Sequence, residues 1–441
     1  MSTAPGLDTT LDLDYVLPLR WDDDQGLGEL TGYLSRLSRH ARVIVVDGSR
    51  DDLFARHAAR WRGLVRHARP AAGLRFTNGK VAGVTTGLLL ATGDRVVIAD
   101  DDVRYDLPAL IKVHDLLARA DLVRPQNYFD PLPWHARWDT ARTLLNRAFG
   151  ADYPGTFGVR RGFFVRMGGY DGDVLFENLE LIRTVRAHGG HELHAPGLYV
   201  RRLPCDARRF WSQRVRQAYD DLAQPARMAA FLPMVPALAA LAVRRPRGLP
   251  ALTGLTVPAV LPALPALPAL PVLPVLSVLS VLSVLPVLPV LAALAVLSMG
   301  LAEAGRRRAG GRQVFPASAA LPAPVWVLER AVCSWLALGA ALTGGVPYAG
   351  GRIRRSAHSV RALRRRVRLA RGTEAAGLVR AVAERLDRGQ AATAQSDGRP
   401  AGVDGLAVLG EQLEVAPDEQ GTVGARGHGD RVSHARHLPQ G

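Results

Sequence analysis

Three consecutive aspartates, Asp100, Asp101 and Asp102, directly follow the apolar residues 96–99 (VVIA). Carboxylates this close repel one another unless a positive charge neutralises them. Mg2+ and Mn2+ prefer such hard oxygen ligands, and either ion can act as a Lewis acid on a departing phosphate oxygen. The pattern predicts a divalent-cation site with Asp100 and Asp102 as its ligands. A solvated acidic turn before the next helix is the alternative interpretation.

Lys80 is one of only two lysines among the 56 basic residues, and it lies close to Gly79 and Gly83 at the start of a predicted helix. Backbone N–H groups at a helix N-terminus favour anions, and glycines permit the close approach of a ligand. This position therefore favours a phosphate or base contact for Lys80. An ordinary solvated lysine fits the same sequence.

The elements that must position these side chains alternate between strand and helix. Apolar, β-branched runs typical of buried strands occur at residues 14–19, 42–46 and 95–99. Helical patterns occur at residues 27–37, 52–66, 81–91 and 107–120. The alternation predicts an α/β fold with a doubly wound, mostly parallel sheet. Ligands of such folds bind at the carboxyl ends of the strands, where Asp47 and the three aspartates fall.

The second half of the chain is apolar and predicts membrane attachment. Residues 249–302 carry no charge, a run well beyond the roughly 20 residues that a spanning helix needs. Residues 261–291 repeat a three-residue unit with frequent proline, which removes helix hydrogen bonds, so we interpret them as a low-complexity insertion. A further apolar helix at 325–343 contains Glu329 and Arg330 and is expected to be interfacial or packed against other helices.

Four regions are expected along the chain. They are a disordered N-terminus at 1–13, an α/β domain at 14–226, an apolar membrane-associated region at 227–345, and a basic juxtamembrane segment with a disordered tail at 346–441. The N-terminus lacks the basic and apolar regions of a signal peptide. We therefore expect a protein of the cell membrane whose α/β domain is cytoplasmic.

The formal net charge of +16 favours an anionic partner, either a nucleic acid or a lipid surface. The sequence contains no nucleic-acid module, Walker-type loop, zinc-ligand spacing or nucleophile elbow. A membrane is therefore the expected partner, and a nucleic acid is not. Cys205 and Cys333 lie far apart and provide neither a disulfide framework nor a metal cluster, which fits a reducing compartment.

Four motifs follow one another within residues 14–220: VVDGS at 45–49, NGKVAGVTTGLLLATGD at 78–94, ADDD at 99–102 and GGYDGDVLFENLELIRTVRAHGG at 168–190. Together they resemble membrane-associated, actinobacterial-type family 2 glycosyltransferases, which have the Rossmann-like GT-A fold. The resemblance implies transfer of a sugar, with inversion, from a nucleotide-diphosphate sugar to a hydroxyl acceptor, assisted by Mg2+ or Mn2+. It further implies that Asp47 accepts hydrogen bonds from the base or ribose, and that Asp100 and Asp101 contact the donor.

In that family a Glu-Asp pair supplies the general base that deprotonates the acceptor hydroxyl. The matching dipeptide here is Glu177-Asn178, and an amide cannot take up the proton. Glu177 is therefore the predicted base, with Glu180 and Asp173 as substitutes. Glu177 and Glu180 are three residues apart and would share one helix face, so either could point into the cleft. The alternative interpretation is that both glutamates lie on an ordinary solvated helix face.

Residues 213–217 (QRVRQ) resemble the QxxRW region of the same family, with Gln217 in place of the tryptophan that helps processive members to hold a polymer. This departure favours transfer of a single sugar. Arg214 and Arg216 are expected to neutralise the diphosphate, because guanidinium groups suit bidentate phosphate contacts. A basic helix that approaches the membrane is the alternative. Residues 344–355 (GGVPYAGGRIRR) resemble the segment after the last membrane helix in lipid-directed members.

The sequence thus predicts a membrane-attached glycosyltransferase whose acceptor is a lipid or a lipid-linked glycan. A nucleotidyltransferase of similar fold fits less well, because residues 20–28 (RWDDDQGLG) are acidic where that class needs a basic, Gly-rich loop. A second alternative is a non-catalytic membrane protein that binds a sugar nucleotide or scaffolds partners. Asn178 and Gln217 favour this alternative, since both replace residues that the family uses.

Overall fold

An eight-stranded mixed sheet organises the computed structural model, which describes residues 10–150, 152–243, 287–348 and 351–370. In chain order the strands are β1 (Asp14–Leu19), β2 (Arg42–Asp47), β3 (Arg66–Ala68), β4 (Arg95–Ala99), β5 (Val103–Arg104), β6 (Leu122–Phe129), β7 (Thr156–Arg160) and β8 (Glu192–Arg202). Their order across the sheet is β3-β2-β1-β4-β7-β6-β8-β5, and the pairs β3-β2, β2-β1, β1-β4 and β6-β8 are parallel. The predicted α/β fold with a mostly parallel sheet is confirmed.

Helices cover both faces of this sheet. Those of the α/β part are α1 (Leu27–Leu37), α2 (Asp51–Trp61), α3 (Gly79–Leu90), α4 (Leu107–Leu116), α5 (Trp134–Ala148), α6 (Arg161–Arg166), α7 (Glu177–Ala187), α8 (Ala207–Ser212) and α9 (Arg214–Tyr219). Along β1, Tyr15 and Leu17 pack into the core on one face, whereas Val16 packs into the core on the other. A strand buried on both faces needs a nearly continuous apolar run, which is why β1 and β2 were recognisable in the sequence.

Two predicted helices end earlier than their patterns suggested. The helix expected at 52–66 ends at Trp61, because Arg66–Ala68 instead forms β3, an edge strand paired with β2. The helix expected at 107–120 ends at Leu116. Its start was predicted correctly, since the Asp106 side chain caps it by accepting a hydrogen bond from the Ala109 N–H.

The C-terminal part adds apolar helices to the α/β domain. It comprises α10 (Pro225–Phe231), α11 (Met234–Val243), α12 (Leu288–Arg307), α13 (Ala323–Leu342), the hairpin β9 (Val346–Tyr348) and β10 (Gly351–Ile353), and α14 (Val360–Ala370). Among the described residues, three segments are long and apolar enough to cross a membrane: Pro225–Ala242, Leu288–Gln313 and Ala317–Leu342. Most of the predicted low-complexity repeat, and most of the N-terminus and tail expected to be disordered, lie outside the described residues.

Helix α12 packs directly on the α/β domain. A side chain at Gly305 would clash with the backbone carbonyl of Leu144 on α5, so the two helices approach more closely than larger residues permit. Arg147, buried beneath them, donates hydrogen bonds to the carbonyls of Gly305 (3.2 Å) and Arg308 (2.7 Å). The apolar region and the α/β domain are therefore in contact through α5.

Candidate active site

One cavity of about 1040 Å³ opens at the carboxyl ends of β1, β2 and β4. Parallel strands bring the loops that follow them to one edge of the sheet, so residues distant in sequence meet there. The predicted site residues that line this cavity are Lys80, Asp100, Asp101, Asp102, Glu177 and Arg216. Asp47, Glu180 and Arg214 do not line it.

Two cations of the protein itself, Lys80 and Arg202, offset part of the negative charge of the acidic turn after β4. Lys80 Nζ lies 2.5 Å from Asp100 Oδ1. Arg202, the last residue of β8, places Nε 2.9 Å from Asp102 Oδ2 and Nη2 3.3 Å from Asp100 Oδ2. Burial lowers the pKa of Lys80, but the carboxylates of Asp100 and Glu177 outweigh burial and hold that pKa well above its ordinary value. These contacts relieve part of the repulsion among the aspartates.

Asp102 nevertheless keeps one free coordination position. Its Oδ1 atom is buried and has no hydrogen-bond partner among the described residues. Burial, opposed by Arg202 and assisted by Asp100 and Asp101, raises the pKa of Asp102 to about 6. A buried carboxylate oxygen without a partner is costly, so the site favours a ligand there. Hard carboxylate oxygens on Asp100 and Asp102 fit Mg2+ or Mn2+.

Two backbone hydrogen bonds and one side-chain hydrogen bond hold the acidic turn in place. The Asp100 N–H donates to the Gly155 carbonyl (2.9 Å), and the Leu203 N–H donates to the Asp102 carbonyl (2.7 Å). Trp21 Nε1 donates to Asp101 Oδ2 at 2.5 Å. A side chain at Gly155 would clash with Asp100 and press on Arg202, so only glycine leaves room for this pairing.

Helix α7 begins at Glu177 and presents its first residues to the same cavity. Glu177 Oε1 accepts a hydrogen bond from Lys80 Nζ at 2.8 Å, so Lys80 bridges Glu177 and Asp100. Asn178 accepts from Lys80 at 3.3 Å and donates to the Pro154 carbonyl at 3.0 Å. The amide therefore helps to position Lys80, which a carboxylate would also do, but it cannot accept a proton.

Glu180 does not face the cavity. It is fully buried, and its two oxygens accept hydrogen bonds from the backbone N–H (2.7 Å) and Nδ1 (2.9 Å) of His358. His358 lies just beyond the β9-β10 hairpin, so Glu180 attaches the segment after α13 to helix α7. Asp173, the other predicted substitute base, accepts from the Thr77 N–H (2.9 Å) and hydroxyl (2.7 Å).

Asp47 is fully buried beneath the cavity. Its carboxylate accepts hydrogen bonds from the Ser49 N–H (2.9 Å), His57 Nδ1 (2.6 Å) and His67 Nε2 (3.1 Å). Burial alone would raise its pKa, but these hydrogen bonds outweigh burial and hold the pKa of Asp47 well below its usual range. Asp47 thus orients the Gly48 loop, which does line the cavity.

Arg214 also acts through a buried contact rather than from the cavity wall. Its guanidinium forms a bidentate pair with Asp139 at 2.9 and 3.2 Å. Arg216 differs, since it lines the cavity and its guanidinium stacks 4.6 Å above the Tyr348 ring. The hydroxyl of Tyr348 donates to Asn78 Oδ1 at 3.0 Å, so the hairpin after α13 closes one side of the cavity.

Sequence reasoning missed Arg202, Trp21, Tyr348 and Asp220 as cavity residues or their direct partners. Asp220 lines the cavity, and its Oδ1 atom is buried without a partner in the described part of the chain. Burial, opposed by Arg216 and assisted by Glu177, raises the pKa of Asp220 to about 8. Arg202 had no local signal, because it completes an ordinary strand. The Asp220-Asp221 pair was a visible signal, since two adjacent carboxylates precede the apolar residues 228–243.

No protein-family model and no curated protein sequence matches this chain. Among solved structures, the mannosyltransferase PcManGT from Pyrobaculum calidifontis in complex with GDP-Man and Mn2+ is 17% identical, with a TM-score of 0.39 over 75% of this chain and 89% of its own. Glucosyl-3-phosphoglycerate synthase from Mycobacterium tuberculosis is 18% identical, with a TM-score of 0.33 over 47% and 80%. Mannosyl-3-phosphoglycerate synthase from Rubrobacter xylanophilus is 18% identical, with a TM-score of 0.33 over 47% and 70%.

Proposed function

We propose that the protein is a membrane-attached, metal-dependent glycosyltransferase that moves a sugar from a nucleotide-diphosphate sugar to an acceptor hydroxyl, with inversion. One observation carries this proposal: Lys80 joins the acidic turn to Glu177 within a single cavity, at 2.5 Å from Asp100 and 2.8 Å from Glu177. Group transfer needs a site for the leaving diphosphate and a proton acceptor within reach of one another. In this proposal the acidic turn on one side of the Lys80 bridge supplies the diphosphate site, and Glu177 on the other side supplies the proton acceptor.

Asp100 and Asp102 would hold the divalent ion, which supplies Lewis-acid stabilisation of the leaving diphosphate when bound. Lys80 and Arg216 contribute fixed positive charge that the departing diphosphate would meet. Asp101, held by Trp21, shapes the donor site. In this proposal Asp47 and Arg214 contribute indirectly, through the Gly48 loop and helix α9.

Glu177 is the proposed base. The acceptor hydroxyl would give its proton to Glu177 while its oxygen forms a bond to the anomeric carbon and the nucleotide diphosphate leaves from the opposite face. Lys80 orients the Glu177 carboxylate through their 2.8 Å hydrogen bond. Asn178 offers no alternative proton acceptor, so Glu177 carries this step in the proposal.

The acceptor is proposed to be a lipid or a lipid-linked glycan reached from a membrane. The segments Pro225–Ala242, Leu288–Gln313 and Ala317–Leu342 support this placement by their length and apolarity. Helix α14 adds exposed arginines that suit anionic headgroups, as the sequence predicted.

A screen of radiolabelled sugar nucleotides against a membrane lipid extract, with and without Mn2+, tests the proposal. We expect sugar incorporation that requires Mn2+ and that Asp102→Asn reduces strongly. The alternative of a non-catalytic sugar-nucleotide-binding protein rests on Asn178 and Gln217, which replace residues that the resembled family uses. Binding of nucleotide without any transfer, in wild type and Asp102→Asn alike, would favour that alternative.

A further inference from the structure

Three arginines line the cavity where it meets the C-terminal helices: Arg142 on α5, Arg227 on α10 and Arg330 on α13. They are close enough for their charges to act on one another. Helices α10 and α13 belong to the segments Pro225–Ala242 and Ala317–Leu342, both long and apolar enough to span a membrane. An ionisable residue in such a helix is costly, so it usually serves a function.

Buried N–H groups on two of these arginines, Arg142 and Arg330, have no hydrogen-bond partner among the described residues. Arg330 is only 2% exposed, yet its Nε and Nη1 atoms bond to no other residue in the described ranges. The Nε atom of Arg142 is likewise buried and without a partner there. A buried charged donor that makes no hydrogen bond is more costly than a neutral one. The arrangement therefore favours a ligand that accepts several hydrogen bonds.

The nearby carboxylates do not satisfy the three arginines. Asp221 lies between two of them, 3.3 Å from Arg227 Nε and 3.5 Å from Arg330 Nη1, which are long contacts. Arg142 Nε is 3.7 Å from Asp139, whose short contacts go to Arg214. The Nε atoms of Arg142 and Arg330 and the Nη1 atom of Arg330 thus keep no short contact with a carboxylate in the described part of the chain.

We propose that Arg142, Arg227 and Arg330 form a subsite that binds a phosphate group of the acceptor. Guanidinium forks match phosphate oxygens in bidentate geometry, and three of them can contact one phosphate. A donor diphosphate has its own cations in the proposed function, Lys80 and Arg216, whereas these three arginines lie where the cavity meets the C-terminal helices. The assignment to the acceptor rests on the glycosyltransferase proposed above. The phosphate could belong to a lipid headgroup or to a soluble phosphorylated sugar.

Calorimetric titration of the detergent-solubilised full chain tests this subsite with three probes: farnesyl phosphate, farnesol and inorganic phosphate. The proposal predicts binding of farnesyl phosphate and at least a tenfold loss of affinity in Arg330→Gln and, independently, in Arg142→Gln. Arg312→Gln changes an exposed arginine and serves as the control. The Arg142 variant keeps the test decisive if Arg330→Gln fails to fold, which thermal melting would reveal.

Each outcome decides the proposal. Tight farnesyl phosphate binding with weak inorganic phosphate binding supports a lipid phosphate, whereas equal binding of both supports a soluble phosphate. Equal binding of farnesol and farnesyl phosphate, or affinities unchanged by both variants, would overturn the subsite.

A parallel titration with UDP or GDP and Mn2+ separates the subsite proposal from the proposed glycosyltransferase function. If both variants lose nucleotide affinity but keep phosphate affinity, the arginines serve the donor; if wild type binds phosphate but no nucleotide, the proposed function fails alone.

Discussion

Asp100 and Glu177, 77 positions apart in the sequence, share one cation, since Lys80 Nζ lies 2.5 Å from Asp100 Oδ1 and 2.8 Å from Glu177 Oε1. This bridge connects the acidic end of β4 with the start of helix α7. Any change in one carboxylate therefore alters the electrostatic environment of the other. The bridge also explains why the chain keeps a lysine here while arginine serves nearly everywhere else, since a compact ammonium can contact both groups.

Replacing Lys80 with methionine should remove the bridge while keeping the length of the side chain. Asp100 and Glu177 would then repel each other, and the diphosphate would lose one fixed positive charge. We expect the turnover number to fall by roughly 10²-fold or more, as for the loss of one preorganised electrostatic contact. Initial rates with the donor identified by the screen provide the measurement. Lys80→Arg keeps the charge and should retain more activity; equal rates in wild type and Lys80→Met would exclude this role.

The two glutamates of α7 should respond differently to amide substitution. Glu177→Gln removes the proposed proton acceptor and should lower the turnover number by about 10²- to 10⁴-fold, with little change in donor affinity or melting temperature. Glu180→Gln instead weakens the buried contacts with His358 and should cost about 1–3 kcal/mol of stability. Thermal melting and steady-state kinetics of both variants check this contrast. A stable but inactive Glu180→Gln protein would reverse the assignment.

Asp220 should make stability depend on pH. Its pKa is raised to about 8 in the folded protein by burial, against about 4 in an unfolded chain. Between these values the folded state binds a proton that the unfolded state has lost, so stability should fall as the pH rises from 5 to 8. Melting temperatures of wild type and Asp220→Asn across this range provide the measurement. The variant should gain stability relative to wild type at the upper end.

Asp52→Asn is the matched control for that series, because Asp52 is about half exposed on the surface of α2. Its melting temperature should follow wild type at every pH. If Asp220→Asn also follows wild type throughout, the Asp220 carboxyl does not take up a proton on folding.

Gly155 should be required for the geometry of the acidic turn. An alanine methyl would clash with Asp100 and press on Arg202, so Gly155→Ala should displace Asp100 from its pairing. We expect Mn2+ affinity to fall at least tenfold. Gly73→Ala, whose methyl would meet no atom within 4 Å, is the control. Unchanged Mn2+ binding in Gly155→Ala would show that the turn tolerates the shift or that the ion binds elsewhere.

The parts of the fold that depend on local patterns could be predicted from the sequence. Strand β1 and helix α1 matched their predicted bounds, because continuous burial and a helical period are local properties. The edge strand β3 could not be predicted, since it is three residues long and exists only through its pairing with β2. Pairing partners are a property of the whole sheet and leave little trace in a short segment.

The same distinction holds within the site. Lys80, Asp100 and Glu177 could be identified because each belongs to a motif, and the structure brings all three together. The partners that neutralise or orient them could not be identified. Arg202 ends a long strand, and Glu180 looked equivalent to Glu177 until the fold placed His358 against it. A helical spacing of three predicts a shared face, but it does not predict which side chain meets the cavity.

Mn2+-dependent nucleotide binding tests the role of the acidic turn most directly. UDP and GDP should be titrated calorimetrically into the full chain, with and without Mn2+, in wild type, Asp102→Asn and the Asp52→Asn control. We expect one nucleotide to bind only with Mn2+, and Asp102→Asn to weaken that binding at least tenfold while the control has no effect. Nucleotide binding of equal strength in wild type and Asp102→Asn, indifferent to Mn2+, would contradict a metal site at Asp100 and Asp102.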